Sequence, residues 1–367
     1  MWLNLRACRR EVQPLEELQC EDRPFRDAED SLRWALFGLE LGDDAVLLNE
    51  WPVAAAVRFE GEHRYGVPMN TIPSHDPGGA WAYDPAIRDE RDLDKLTIPQ
   101  WRHHEAETAR RLEAAEELLG DIIPVKLACG IPITPFFCKD AASLIGFNEL
   151  MLGIALNPET IHRLMAFLRD AALSTIDQVE AMGILTENNN HCYKHLSDSI
   201  RQTPAGQPLK ASDLWLWSNS QNFELVGPRQ FREFLLDYQM PVMRRYGAVS
   251  YGCCETLTKK LDEVFSIPNL RIFVNSPWTD LKAATPYCAR RGACLEWRQM
   301  ATDMAIPNNF EHIEKKLREG LAITRGVNRF IVLQEVQTVD NDLERFKRWC
   351  RLAVRLSEED AAQGEWR

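Results

Sequence analysis

No apolar run in this 367-residue chain is long enough to span a bilayer. The opening Met1-Trp-Leu-Asn-Leu-Arg-Ala-Cys-Arg-Arg10 lacks the apolar core of a secretion signal. Positive charge is also in deficit: the net charge is −12, which argues against a phosphate backbone as partner. The ten cysteines follow no framework spacing, in a chain too long to need a disulfide scaffold. No internal repeat and no low-complexity linker stands out. These absences predict a cytoplasmic protein with no membrane or nucleic-acid partner, whose thiols stay free and are open to metal.

What is present suits a large core. Hydrophobic residues make up 45% and charged residues 27%, as in globular enzymes. Such a length holds two ordinary domains or one large α/β barrel. Eight strand-like runs follow one another. They are Ala45–Val53, Ile122–Gly130, Gly183–Glu187, Leu214–Gln221, Ala248–Glu255, Leu270–Trp278, Ala293–Gln299 and Arg329–Val339. Helical patterns fall between them, over 99–120, 141–156, 157–183, from Gly227, 279–291, from Asn309 and 341–356, with a frayed tail after Ser357. The simplest closed architecture is a single (β/α)8 TIM barrel over 1–367, with a helical and irregular N-terminal extension over 1–44. Residues 58–98, rich in Pro, Gly and aromatics, read either as a lid over one face or as a small sheet packed at an edge.

The centre of the chain is Ala248-Val-Ser-Tyr-Gly-Cys-Cys-Glu255, a short strand ending in two thiols and a carboxylate. Thr256 is placed to cap a helix carrying Leu257, Leu261, Val264 and Phe265. In a barrel, reactive groups at strand ends share one mouth. Glu50, Cys129, Asn190, Gln221, Cys253, Cys254, Glu255, Trp278, Glu296, Arg298 and Glu335 would all face it. Thiolates and carboxylates are zinc ligands, and three protein ligands suffice for a catalytic site. Cys253, Cys254 and Glu335 form the candidate metal set, with Glu255 or a His of 191–195 as alternatives. Neighbours on a strand point to opposite faces, so both sulfurs reach one ion only where the strand has ended.

Each candidate has a plain alternative. Cys-Cys is ordinarily two small buried hydrophobes, although a following carboxylate needs a partner. His191 and His195 sit in an Asn-rich loop, where substrate binding suits them better than metal. His103-His104 reads as a solvated helix face. Trp215, Trp217, Trp278 and Trp297 are core packing or the wall of an aromatic pocket. Glu296 and Arg298 share parity on one strand, so they form either an ion pair or an anchor for a substrate carboxylate.

The order of elements resembles the uroporphyrinogen decarboxylase superfamily. The carrying residues are Asp213-Leu-Trp-Leu-Trp217, Gln221, Gly227-Pro-Arg-Gln-Phe-Arg-Glu-Phe234, Tyr246-Gly247, Tyr251-Gly-Cys-Cys-Glu255, Pro268-Asn-Leu-Arg271 and Asn275-Ser-Pro-Trp278. This looks like a divergent bacterial branch near the cobamide-dependent methyltransferases. There the resemblance implies zinc held by a His-x-Cys strand and a later Cys. Tyr251-Gly-Cys253 matches only at the sulfur, and Glu335 falls near the place of the later Cys. The implied activity is methyl transfer between a small methylated substrate and the cobalt of a partner corrinoid protein, with zinc as Lewis acid. Glu255 or Glu335 is the alternative proton donor to the leaving atom. His191, His195, Gln221, Trp278, Glu296 and Arg298 are the candidate substrate contacts. The superfamily's other chemistry, cofactor-free decarboxylation of a tetrapyrrole, implies an N-terminal arginine-rich segment and an aspartate. Arg23, Arg26 and Asp27 lie in the right region, in a pattern that departs. A non-catalytic barrel is the third reading. Members of the superfamily often dimerise.

Overall fold

In the computed structural model, which describes residues 1–76, 79–189, 200–306 and 309–363, strands alternate with helices and the principal pairings are parallel. The strands are β1 (Trp2–Leu3), β2 (Trp51–Ala54), β3 (Val57–Phe59), β4 (Asn70–Ile72), β5 (Ala82–Asp84), β6 (Trp101–His103), β7 (Val125–Ala128), β8 (Trp215–Ser218), β9 (Ala248–Tyr251), β10 (Leu270–Asn275), β11 (Cys294–Gln299) and β12 (Arg329–Leu333). A six-stranded parallel sheet has the order β1-β12-β11-β10-β9-β8. Its strands read as near-continuous apolar runs because both faces are covered. All four residues of β9 are buried, as are Ile272 to Asn275 of β10.

Seven of the eight expected runs contain a strand, and the third, which was expected to run on from Gly183 into 188–195, has none among its described residues. Residues 184–188 are tied to their neighbours largely through side chains. The Thr186 N–H donates to the Cys129 carbonyl at 2.9 Å, while the Cys129 N–H donates to Thr186 Oγ1 at 2.8 Å. The Asn188 amide takes the N–H of Trp215 at 2.8 Å and gives to its carbonyl at 2.9 Å. Polar side chains thus occupy backbone groups that a ladder would use. β2 and β7 form a separate parallel pair. Among the described residues no ladder joins that pair to the six-stranded sheet, so pairing is not continuous around a ring. Two strands were not expected: β1, which lies against β12, and β6, which takes the start of the helix expected over 99–120, so that this helix runs over Glu105–Leu119.

The helices cover the sheet. The run expected over 141–156 is two helices, Phe137–Ile145 and Phe147–Leu156, broken at Gly146 with φ of 90°. Pro158 opens the long helix Pro158–Ala181, whose buried stripe includes Leu164, Leu168, Ala171 and Ala172. The last helix, Leu343–Gln363, continues past the expected end. The buried Asp360 explains why: its carboxylate pairs with Arg325 at 2.6 Å and with Arg329, which pins the final turns.

Between β2 and β7 the chain makes two small antiparallel pairs, β3 with β6 and β4 with β5. This excursion is strapped down. Tyr65 is buried and donates to Asp140 Oδ2 at 2.9 Å, and the Ile87 N–H donates to the Leu144 carbonyl at 2.9 Å. Asn222 reaches the Tyr83 hydroxyl at 3.2 Å. These contacts dock the excursion on helix Phe137–Ile145 and on the turn after β8. Among the described residues no helix is long and apolar enough to cross a membrane.

Candidate active site

Strand β9 stops at Tyr251, two residues before the sulfurs. Gly252 makes the exit turn at φ of 115°. A Cβ there would lie 2.8 Å from the Val274 carbonyl oxygen, so only glycine fits. With the strand ended, Cys253 and Cys254 escape the alternation of side chains, and their Sγ atoms stand 3.6 Å apart. Thr256 does not cap a helix. Its N–H donates to Glu224 Oε1 at 3.3 Å, and a short helix starts only at Leu261 after the turn Thr258–Lys260. The Leu257 N–H is taken by Thr279 Oγ1 at 2.9 Å.

Glu255 is fully buried and both of its carboxylate oxygens accept hydrogen bonds. Ser220 donates to Oε1 through its N–H at 2.7 Å and its hydroxyl at 3.1 Å. The Cys253 N–H donates to Oε2 at 3.0 Å. Its backbone carbonyl accepts from Ser276 Oγ at 2.8 Å. These contacts give Glu255 a structural part beside the proton-donor or ligand role expected of it. It clamps the β8, β9 and β10 ends together, because a buried carboxylate must be met by donors.

Arg298 is the cation of the site. It is buried, donates to Glu296 Oε1 at 2.7 Å, and points Nη1 at Cys253 Sγ, 4.0 Å away. Burial pulls the guanidinium down, but the Glu296 charge and hydrogen bond together with the Cys253 and Cys254 charges outweigh it and hold Arg298 charged. Glu296 and Arg298 thus form the ion pair that their shared parity allowed. The hydrogen bond from Cys254 and the Arg298 charge overcome burial and bring the Cys253 thiol down to about 7. Cys254 moves the other way, raised by its hydrogen bond to Cys253, by burial and by the Cys253 and Glu335 charges. The pair therefore reads as a Cys253 thiolate beside a protonated Cys254.

Glu335 follows β12 at φ of 64°, is exposed, and its Oε1 lies 3.8 Å from Cys254 Sγ. Gln334 Nε2 donates to the same oxygen at 3.1 Å. Cys254 thus touches both Cys253 and Glu335. Among the described residues, however, no three or more His, Cys, Asp or Glu side chains are arranged to hold a metal ion. Arg298 occupies the Cys253 side. Cys253, Cys254 and Glu335 by themselves make no such cluster, and His191 and His195, the alternative ligands, lie outside the described residues.

No protein-family model matches the chain, and no curated protein does. Among solved structures, the chain is similar to a methyltransferase from Methanosarcina mazei, at 13% identity and a TM-score of 0.41. The match covers 71% of this chain and 72% of that one. A likeness at that level says nothing about this chain's chemistry.

The other expected residues disperse. Gln221 is exposed in the turn after β8, and Trp278 is 60% exposed. Trp215 is buried, and Trp297 packs so tightly on Gly320 that a Cβ there would lie 2.0 Å from the ring. Trp217 donates to the Gly252 carbonyl at 2.8 Å and stacks edge-on against Phe136, supporting the exit turn. Cys129 is buried at the end of β7, and Glu50 is half-buried before β2. His103 lies on β6 and not on a helix, with Nε2 2.9 Å from Thr108 Oγ1. Asn190, His191 and His195 lie outside the described residues.

Sequence reasoning missed the supports. Gln239 is fully buried and donates to Pro135 and Asn219 carbonyls at 2.7 and 3.0 Å, while accepting from Tyr251 at 3.0 Å. It fixes the turn that presents Ser220. No local signal marks this glutamine, since its partners come from three separate segments. Ser276, by contrast, was visible inside Asn275-Ser-Pro-Trp278, though without a role, and Thr279 only as the start of the next helix.

Proposed function

We propose that this chain is an enzyme of the methyltransferase class. It moves a methyl group between a small methylated substrate and the cobalt of a corrinoid held by a partner protein. The carrying observation is the thiol pair beyond β9, set between Arg298 at 4.0 Å and Glu335 at 3.8 Å. A thiolate beside a protonated thiol is a base and acid pair for a substrate heteroatom. When the methyl group leaves, the bonding electrons stay on that heteroatom and Cys254 supplies its proton. A proton held as firmly as that of Cys254 goes to a strongly basic leaving atom such as an alkoxide. Glu335, exposed beside the same sulfur, returns a proton from water. The corrinoid supplies the cobalt that takes or gives the methyl group. No step is assigned to a metal of this chain.

In the same reading the strands form a (β/α)8 barrel with residues 184–188 in third place, and its mouth receives the carrier. The resemblance of residues 213–278 supports this. The tetrapyrrole decarboxylase alternative implies an N-terminal arginine-rich segment and an aspartate, and here Arg23 and Asp27 pair with each other at 3.7 Å on an exposed helix face while Arg26 donates to the Cys20 carbonyl at 3.0 Å.

The test is anaerobic incubation of the full chain with cob(I)alamin and a panel of methoxy, methylamine and methylthio compounds. Formation of methylcobalamin is read by absorbance, and the expected result is turnover that falls at least tenfold in Cys254→Ser. Folded protein that forms no methylcobalamin, yet releases carbon dioxide from uroporphyrinogen, would overturn the reading.

A further inference from the structure

Two thiols adjacent in sequence are rarely both solvent-reachable and facing each other. Here both are free and partly exposed, and neither lies in a strand or helix. Their sulfurs are 3.6 Å apart, and bond formation needs an approach to about 2 Å. The flanking charges are asymmetric. The Arg298 guanidinium favours the anion on Cys253, and the Glu335 carboxylate is a base beside Cys254.

From this arrangement we infer that Cys253 and Cys254 form a redox-active dithiol, a modification site for low-molecular-weight disulfides. The Cys253 thiolate attacks one sulfur of the disulfide, RS–SR. That S–S bond breaks, one RS⁻ leaves and takes up a proton, and Cys253 carries SR. With Cys253 capped, the anion and hydrogen bond that held the Cys254 proton are gone, and Cys254 loses that proton to solvent and attacks Cys253 Sγ. The second RS⁻ departs with a proton, and a Cys253–Cys254 bond remains. The dithiol loses two electrons and the small disulfide gains them. Neighbouring Cα atoms are about 3.8 Å apart, short of the usual disulfide span of about 4.4–6.8 Å, so the bond is readily reduced. It acts as a reversible cap on the sulfurs and not as a staple. The chemistry stands independently of methyl transfer, although closing the bond would silence that activity.

The experiment equilibrates the reduced full-length chain with mixtures of oxidised and reduced glutathione, quenches in acid, and maps peptides by mass. The expected wild-type peptide spanning 253–254 is two hydrogens lighter, carries no glutathione, and returns to the dithiol in excess reduced glutathione. Cys254→Ser should accumulate glutathione on Cys253. Cys253→Ser should react about tenfold more slowly, since the remaining thiol lacks the guanidinium. Circular dichroism confirms that each variant is folded. Stable glutathione on the wild-type pair, a bond from either sulfur to another cysteine, or a pair still reduced when the partly exposed Cys20 is oxidised would each overturn the inference. A chain that oxidises as expected but moves no methyl group refutes only the functional reading.

Discussion

The Arg298 guanidinium stands 4.0 Å from the sulfur of Cys253, across 45 residues of sequence. One face of that cation is neutralised by Glu296, and the other is offered to the thiol. Together with the hydrogen bond from Cys254, the larger influence, this contact lowers the Cys253 thiol.

Cys253 should therefore alkylate with a midpoint near pH 7, read by iodoacetamide rates from pH 5.5 to 9.5. The paired change Glu296→Gln with Arg298→Met removes both charges together, so no buried ion is left alone. Its midpoint should rise by about one unit or more. An unchanged profile would sink the assignment. The sign for stability follows. The folded value, about 7, lies below the ordinary thiol value of 9.0, so between these the unfolded state binds more protons. Stability should rise with pH across that window and be fully present above it, and Cys253→Ser should flatten the rise.

Glu255→Gln should destabilise the fold by about 2–3 kcal/mol, measured by urea unfolding, because one new amide N–H would face an N–H donor of Ser220 or Cys253. If Glu255 were instead a proton donor, the variant would keep its stability and lose only activity.

Gly252→Ala should cost about 2–3 kcal/mol, since the added Cβ meets the Val274 carbonyl and the backbone at φ of 115° resists a side chain. It should also slow Cys253 alkylation by shifting the turn. Wild-type thermal stability with unchanged alkylation would count against the geometry described for the exit of β9.

Metal analysis of protein purified without chelator should find well under one zinc per chain, because no three ligand side chains are arranged for an ion among the described residues. One zinc per chain, lost in Cys254→Ser, would restore the metal site and displace the pairing with Arg298.

Much of the architecture was written locally. Apolar runs such as Leu270-Arg-Ile-Phe-Val-Asn275 become buried strands because their composition suits a sheet covered on both faces. Asn157-Pro158 opens a helix because proline at the first position loses no hydrogen bond. The third run failed because Thr186 and Asn188 satisfy the neighbouring backbone with side chains, which an apolar pattern does not reveal.

By itself the sequence determined where the reactive groups sit: two sulfurs and an acid just past a buried strand, with glycine before them. Their roles came only from the tertiary structure. Ser220 turned Glu255 into a clamp from 35 residues away, and Glu335 reached Cys254 across 81. A side chain's chemistry is set by the charges and donors around it, and those are gathered by folding, not by neighbourhood in the chain.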